Sequence, residues 1–154
     1  MRCLALARLV SVDETESWAS SEAVRHSMQA NRSRDTGPEM AVRRLLFSRG
    51  LRYRVAYHPL PDHKRTTVDI AFPRLKIVVL IDGCFWHGCP DHYSLPRTHS
   101  DYWQAKIDRN STRDTTTNRE LAAAGWQVLR FWSHDKPEEV ARAVESAVRQ
   151  ARGS

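Results

Sequence analysis

The sequence predicts an α/β fold, a sandwich in which helices flank a mixed central sheet. Three observations carry that prediction. Hydrophobic periods follow one another in the order helix, three strands, helix, strand, helix. The run Leu75 to Ile81 is almost continuously apolar and β-branched, as expected of a central strand buried on both faces. That run leads into Asp82-Gly83-Cys84-Phe85-Trp86-His87-Gly88-Cys89-Pro90-Asp91-His92, a crowd of ionisable, metal-ligating and aromatic side chains. Burying such groups costs free energy unless they are paired or metal-bound, so the segment reads as a site at a strand end.

The elements follow in order. Thr36-Gly37-Pro38-Glu39 is a capping-box pattern with proline in the first turn. Met40 to Arg49 continues it as an amphipathic helix with Ala41, Val42, Leu45 and Leu46 on one face, and Gly50 is its stop. Leu51, Tyr53, Val55 and Tyr57 alternate with polar residues as a strand. His58 to Arg65 carries two prolines and reads as a loop, and Val68, Ile70 and Phe72 alternate around Asp69 as a second strand. Pro73 and Arg74 connect it tightly to the apolar strand Leu75 to Ile81, as in a hairpin. Cys84 to His99 is irregular. Ser100 to Ala124 is helical in composition, with a weak stretch at Asn110 to Asn118 that would kink it, and Gly125 ends it. Trp126 to Trp132 is another strand. Asp135-Lys136-Pro137-Glu138 is a second capping-box pattern before a helix striped by Val140, Val144 and Val148.

A length of 154 residues suits one domain, read as a flexible tail over 1–20 ahead of a single domain over 21–154. No apolar stretch is long enough to span a membrane. Met1 to Val10 is broken by Arg8 and lacks a cleavage site, so no signal peptide is expected. The three cysteines, Cys3, Cys84 and Cys89, do not look like a disulfide framework, and a cytoplasmic setting is expected. Net charge is +6 and lysine occurs only at Lys64, Lys76, Lys106 and Lys136, so the positive charge is mostly arginine. Arginine forks suit phosphate, which points to a nucleic-acid partner; an arginine-rich solvated surface is the other reading.

The candidate chemistry lies at the strand ends. Asp69 between apolar neighbours is either a solvent-facing carboxylate on an edge strand or a metal ligand. With Asp82 at the end of the neighbouring strand it can hold Mg2+, which needs few protein ligands and stabilises charge on phosphoryl and leaving oxygens. His87 follows as a general base for water, with a zinc ligand or surface histidine as alternatives. Cys84, Cys89 and His92, spaced Cys-x4-Cys-x2-His, supply three ligands of a tetrahedral zinc; His134 after the last strand is the preferred fourth and His99 the runner-up. Ligation entirely by protein would make this zinc structural. Phe85, Trp86 and Trp103 either wedge between base pairs or cover the zinc loop and the core.

These residues together resemble the very short patch repair (Vsr) DNA mismatch endonucleases. The resemblance runs from about Ser27 to Trp132. It rests on Arg34-Asp35-Thr36 with Glu39, Gly50-Leu51, Tyr53-Arg54-Val55, Asp69, Gly83-Cys84-Phe85-Trp86-His87, Trp103, Lys106-Ile107, Asn110, Arg113-Asp114 and Gly125-Trp126. It implies a fold related to restriction endonucleases of the PD-(D/E)xK type, with a structural zinc. It implies Mg2+-dependent nicking of double-stranded DNA 5′ to the T of a T·G mismatch left by 5-methylcytosine deamination. By the same resemblance Asp69 and the Ile81 backbone carbonyl hold Mg2+, His87 activates water, and Asp114 and Glu39 are further acids of the site. Phe85, Trp86 and Trp103 enter the duplex beside the mismatch, Met28 enters from the minor groove, Asn110 also meets the DNA, and Cys84 is a zinc ligand. A monomer associated with the bacterial nucleoid and linked functionally to a cytosine-5 DNA methyltransferase is implied as well. Glu39 is explained equally by its capping box.

Three features depart from that pattern. Asp82 stands where a well-studied branch has histidine, so it either adds a metal ligand or only hydrogen-bonds. Ile81 replaces threonine, which leaves a backbone carbonyl intact. Cys89, His92 and His134 replace the family's zinc ligands with a one-residue shift. Two rival functions remain open: a nuclease of the same fold with another target, such as modified-DNA restriction or defence, and a non-catalytic zinc-stabilised DNA-binding module.

Overall fold

The computed structural model describes residues 34–63, 65–97 and 99–153. Met28 and the proposed tail over 1–20 lie outside them. The elements are α1 (Gly37–Ser48), β1 (Arg54–Tyr57), β2 (Val68–Phe72), a 3-10 turn (Pro73–Leu75), β3 (Ile77–Asp82), α2 (Ser100–Ala123), β4 (Gln127–Trp132) and α3 (Pro137–Gly153). The order matches the periodicities of the sequence.

The capping box at Thr36 forms. Thr36 Oγ1 accepts the Glu39 N–H at 3.4 Å, while Glu39 accepts the Asp35 N–H and the Thr36 hydroxyl at 3.0 Å each. Two helices end on glycine by the same device. Beyond α1, Gly50 at φ 77° lets its own N–H reach Phe47 O and the Leu51 N–H reach Leu46 O. Beyond α2, Gly125 at φ 80° does the same with Ala122 and Leu121.

Two details of the reading change. The weak stretch of α2 does not interrupt it: Thr112, Thr115 and Thr116 each turn a hydroxyl back onto the carbonyl one helical turn earlier, at 2.9–3.0 Å. The second capping box is not the one expected. Asp135 Oδ2 accepts the Trp132 N–H at 2.7 Å and closes the turn after β4, and α3 begins at Pro137.

The sheet order is β1-β2-β3-β4, antiparallel except for the parallel β3–β4 pair. The sheet is mixed and flanked by helices, as expected. Alternation along β3 splits the core in two. Ile77 and Val79 join Ile70 and Phe72 against Val42 and Leu46 of α1 and Val140, Val144 and Val148 of α3. Val78 and Leu80 join Ala71 against Leu121 of α2 and Trp126. β3, covered on both faces, therefore ends with Ile81 and Asp82 between layers, which is where the polar segment starts. Among the described residues no helix is long and apolar enough to cross a membrane.

Candidate active site and candidate metal centre

β2 is interior to the sheet, so Asp69 does not sit on an edge strand. The β2–β3 pairing ends with Ile70 opposite Val79, and beyond it Asp69 Oδ2 accepts the Ile81 N–H at 2.7 Å. Burial pushes the Asp69 carboxyl up to about 6; the Ile81 N–H and the Arg43 charge oppose the shift, and the charges of Glu39 and Asp82 add to it. The structure thus gathers Asp69, Asp82, Glu39 and the Ile81 backbone at one end of the sheet.

The two flanking acids have arginines of their own. Glu39, 3% exposed, receives Arg43 Nη2 at 3.0 Å, and Arg43 also reaches Asp35. Asp82, 7% exposed, takes both Nε and Nη2 of Arg130. That fork settles how Asp82 is engaged: it is paired to a cation rather than left as a bare carboxylate beside Asp69.

His87 lies in the loop after β3, where its backbone N–H bonds Gly83 O at 3.1 Å. Its Nδ1 is 2.5 Å from Asp114 Oδ2 of α2 and 3.7 Å from Asp82 Oδ1. Burial tends to raise the Asp114 carboxyl, but the bond and charge of His87, with Arg130 and Arg113, hold it below the ordinary carboxylate value. An ionised Asp114 only accepts, so Nδ1 carries the proton and the lone pair of a neutral His87 sits on Nε2. Sequence reasoning named His87 and Asp114 but missed Arg130 and Arg43. The signal for Arg130 was a cation between Leu129 and Phe131 inside an apolar strand.

The Cys/His set also comes together. One ligand atom from each of Cys84, Cys89, His92 and His134 lies within 4.8 Å of all the others. Cys84 Sγ is 3.1 Å, and Cys89 Sγ 3.8 Å, from His134 Nδ1; Cys89 Sγ is 3.7 Å from His92 Nδ1. Tetrahedral zinc places sulfur and nitrogen ligands roughly 3.6 Å apart, so the donor set fits that ion in number, type and spacing. His134, not His99, is the fourth member. His99 instead sits at the start of α2 with φ 56°.

The aromatic residues pack as one of their two expected readings has it, as a cover over the loop. Phe85 packs edge-on against Trp86 at 5.2 Å and Trp103 at 5.3 Å between centroids. Trp103 is 5% exposed, so it underlies the cluster and is not poised to enter a duplex; Phe85 and Trp86 are half-buried above it. Asn110, expected on DNA, donates from Nδ2 to Trp86 O at 2.8 Å and pins the aromatic loop to α2. Lys106 Nζ stands 5.0 Å over the Trp86 ring.

A histidine bonded to one carboxylate, with further buried carboxylates at the neighbouring strand ends, supplies groups suited to hydrolysing a phosphodiester. In a basic chain that chemistry describes a nucleic-acid hydrolase. The family model described as DNA mismatch endonuclease Vsr matches residues 19–92. Type II nicking enzyme V.NaeI of Lentzea aerocolonigenes is 47% identical over 119 residues, covering 77% of this chain and 72% of its own. Type II nicking enzyme V.XorIIP of Xanthomonas oryzae pv. oryzae (strain KACC10331 / KXO85) is 44% identical over 114 residues, covering 73% and 81%. DNA mismatch endonuclease Vsr of Escherichia coli (strain K12) is 34% identical over 107 residues, covering 69% and 66%. The chain belongs to the Vsr family of DNA endonucleases.

Proposed function

We propose that this endonuclease nicks one strand of double-stranded DNA 5′ to the T of a T·G mismatch and so starts repair of deaminated 5-methylcytosine. The observation that carries the reading is the 2.5 Å contact of His87 with Asp114, linked through Asp82, 3.7 Å from the same nitrogen, to the charge of Asp69 on the adjacent strand. Asp69 and the Ile81 carbonyl would hold Mg2+, and its bound charge would stabilise the phosphoryl and leaving oxygens. His87 Nε2 takes the proton of the attacking water, and Asp114 stabilises the imidazolium that results. Asp82 and Glu39, each held by an arginine, shape the field around Asp69 without ligating the ion.

Zinc on Cys84, Cys89, His92 and His134 would fix the loop that carries His87, Phe85 and Trp86. Those two aromatics unstack the duplex at a cost of a few kcal/mol, less where a mismatch has already weakened the stack. Met28 from the minor groove completes the wedge, and arginines bind the backbone with strong salt dependence. A restriction-endonuclease-like fold, a monomeric state, a bacterial cytoplasmic setting at the nucleoid and a companion cytosine-5 methyltransferase belong to the same reading. A second reading has one specific support. V.NaeI and V.XorIIP, both more similar to this chain than the Escherichia coli enzyme, are type II nicking enzymes. It places the mismatch in the recognition sequence of a type II system.

The test is Mg2+-dependent nicking of duplexes carrying single mismatches in varied contexts, against a fully paired control. A cut confined to the T strand of T·G duplexes is expected. Equal cutting of paired DNA would mean another target, and binding without any cut would leave only a DNA-binding module.

A further inference from the structure

Arg130 is the cation that the sequence did not single out, and its contacts leave it little choice of role. It rises from β4 in a sheet position opposite Leu80 of β3. Nε and Nη2 fork onto the two oxygens of Asp82. Nη2 also meets Asp114 Oδ1 at 3.0 Å. Nη1 donates to Asn118 Oδ1 at 2.8 Å and reaches the Asp114 backbone carbonyl at 3.4 Å. Every guanidinium nitrogen therefore faces an acceptor of its own protein, so Arg130 is occupied as a brace and not presented to a DNA phosphate.

The brace joins three elements. It ties the end of β3 to the middle of α2, and it grips Asp114 by both carboxylate and carbonyl. The second carboxylate oxygen of Asp114 then has one place to go, His87 Nδ1. Without the arginine, Asp82 and Asp114 would be two carboxylates competing for the same imidazole nitrogen, which lies 3.7 Å and 2.5 Å from them. Like charges that close repel, and the histidine would lose its single orientation.

We infer that Arg130 is a positioning residue of the nicking reaction, holding Asp114 against His87 Nδ1 so that His87 Nε2 stays aimed at the attacking water. This rests on the assignment of His87 as the base. The same role makes Asp82 the brace's anchor on β3, which gives this position a function where a related branch has histidine.

The experiment compares Arg130→Met, Arg130→Lys and the double variant Asp82→Asn/Arg130→Met with the full-length wild type. Single-turnover nicking of a T·G duplex, duplex affinity without Mg2+, zinc content and the 15N-detected tautomer of His87 are measured on each. Arg130→Met should lose about 100-fold in nicking rate, the scale of a misplaced catalytic group, with affinity and zinc unchanged. Its His87 should lose the single Nδ1–H tautomer. Arg130→Lys should not rescue, because one ammonium cannot span both carboxylates. The double variant removes the competing Asp82 charge together with the cation, so it remains informative if the single variant does not fold; with Asp114 left unbraced it should nick well below the wild-type rate, though faster than Arg130→Met. Wild-type nicking with an unchanged His87 tautomer in either Met variant overturns the inference. If His87→Ala also nicks at the wild-type rate, the failure lies with the base assignment instead.

Discussion

Two clusters of ionisable side chains grow from the same short segment after β3, and they are satisfied in opposite ways. In the first, His87, Asp114, Arg130 and Asp82 close a ring of paired charges, in which each anion faces a cation or an N–H. In the second, Cys84, Cys89, His92 and His134 aim sulfur and nitrogen atoms at one another across 3.1–3.8 Å. Those distances bracket the roughly 3.6 Å that tetrahedral zinc sets between sulfur and nitrogen ligands. One cluster is a prebuilt machine and the other is a socket. Ion pairs between elements preorganise the first cluster, whereas the second gathers four ligand atoms whose type and spacing fit one metal ion.

Breaking the socket should cost the most. Cys84→Ala, or removal of zinc with a chelator, is expected to lower stability by more than about 4 kcal/mol, because the ligands then lose their common partner. Metal analysis alongside thermal melting checks this; a stable, zinc-free, fully active Cys84→Ala protein would refute the structural zinc. Removing the acid proposed to hold Mg2+ beside the machine should cost rate and not fold. Asp69→Ala is expected to reduce nicking by roughly three orders of magnitude, about 4 kcal/mol of transition-state stabilisation, with duplex binding kept. Full activity in that variant sinks the assignment of the metal-holding acid.

Asp69 also sharpens the comparison through pH. Its folded carboxyl holds its proton up to about 6, against an ordinary value of 3.8. The group therefore favours the folded state in full below about pH 4, and this contribution, on the order of 2–3 kcal/mol, is lost as pH rises from about 4 to about 6. A divalent cation competes with that proton. Millimolar Mg2+ should then raise the Tm at pH 8 and leave it unchanged at pH 5, and Asp69→Asn should abolish the difference. A Tm at pH 8 indifferent to Mg2+ in the wild type would count against the site.

The smallest effect is expected at Gly88, between the two clusters. Its φ is +63°, and a Cβ there would lie 2.9 Å from Ile107 Cγ2 of α2. Gly88→Ala should cost about 1–3 kcal/mol in chemical denaturation and slow nicking modestly, because His87 rides on the same turn. No change in either would mean that the loop packs less tightly on α2 than the contact implies.

The sequence by itself determined what is local. Thr36 to Glu39 wrote the start of α1, Gly50 and Gly125 wrote two helix ends, and the apolar run before Asp82 wrote a central strand. The spacing of Cys84, Cys89 and His92 proposed three of four clustered ligands, because they lie on one loop. Only the tertiary structure decided what crosses the chain. Asp82 could be read either as a metal ligand or as a hydrogen-bonding group until the parallel register of β3 and β4 brought Arg130 onto it. Of the two readings of Trp103, wedge or cover, its packing with Phe85 fits the cover, and Asn110 holds the Trp86 carbonyl, a contact no local pattern announced. Periodicity and capping follow from the geometry of a few neighbouring residues. A partner across the sheet is chosen by how the two core layers pack, and no pattern within one element records that choice.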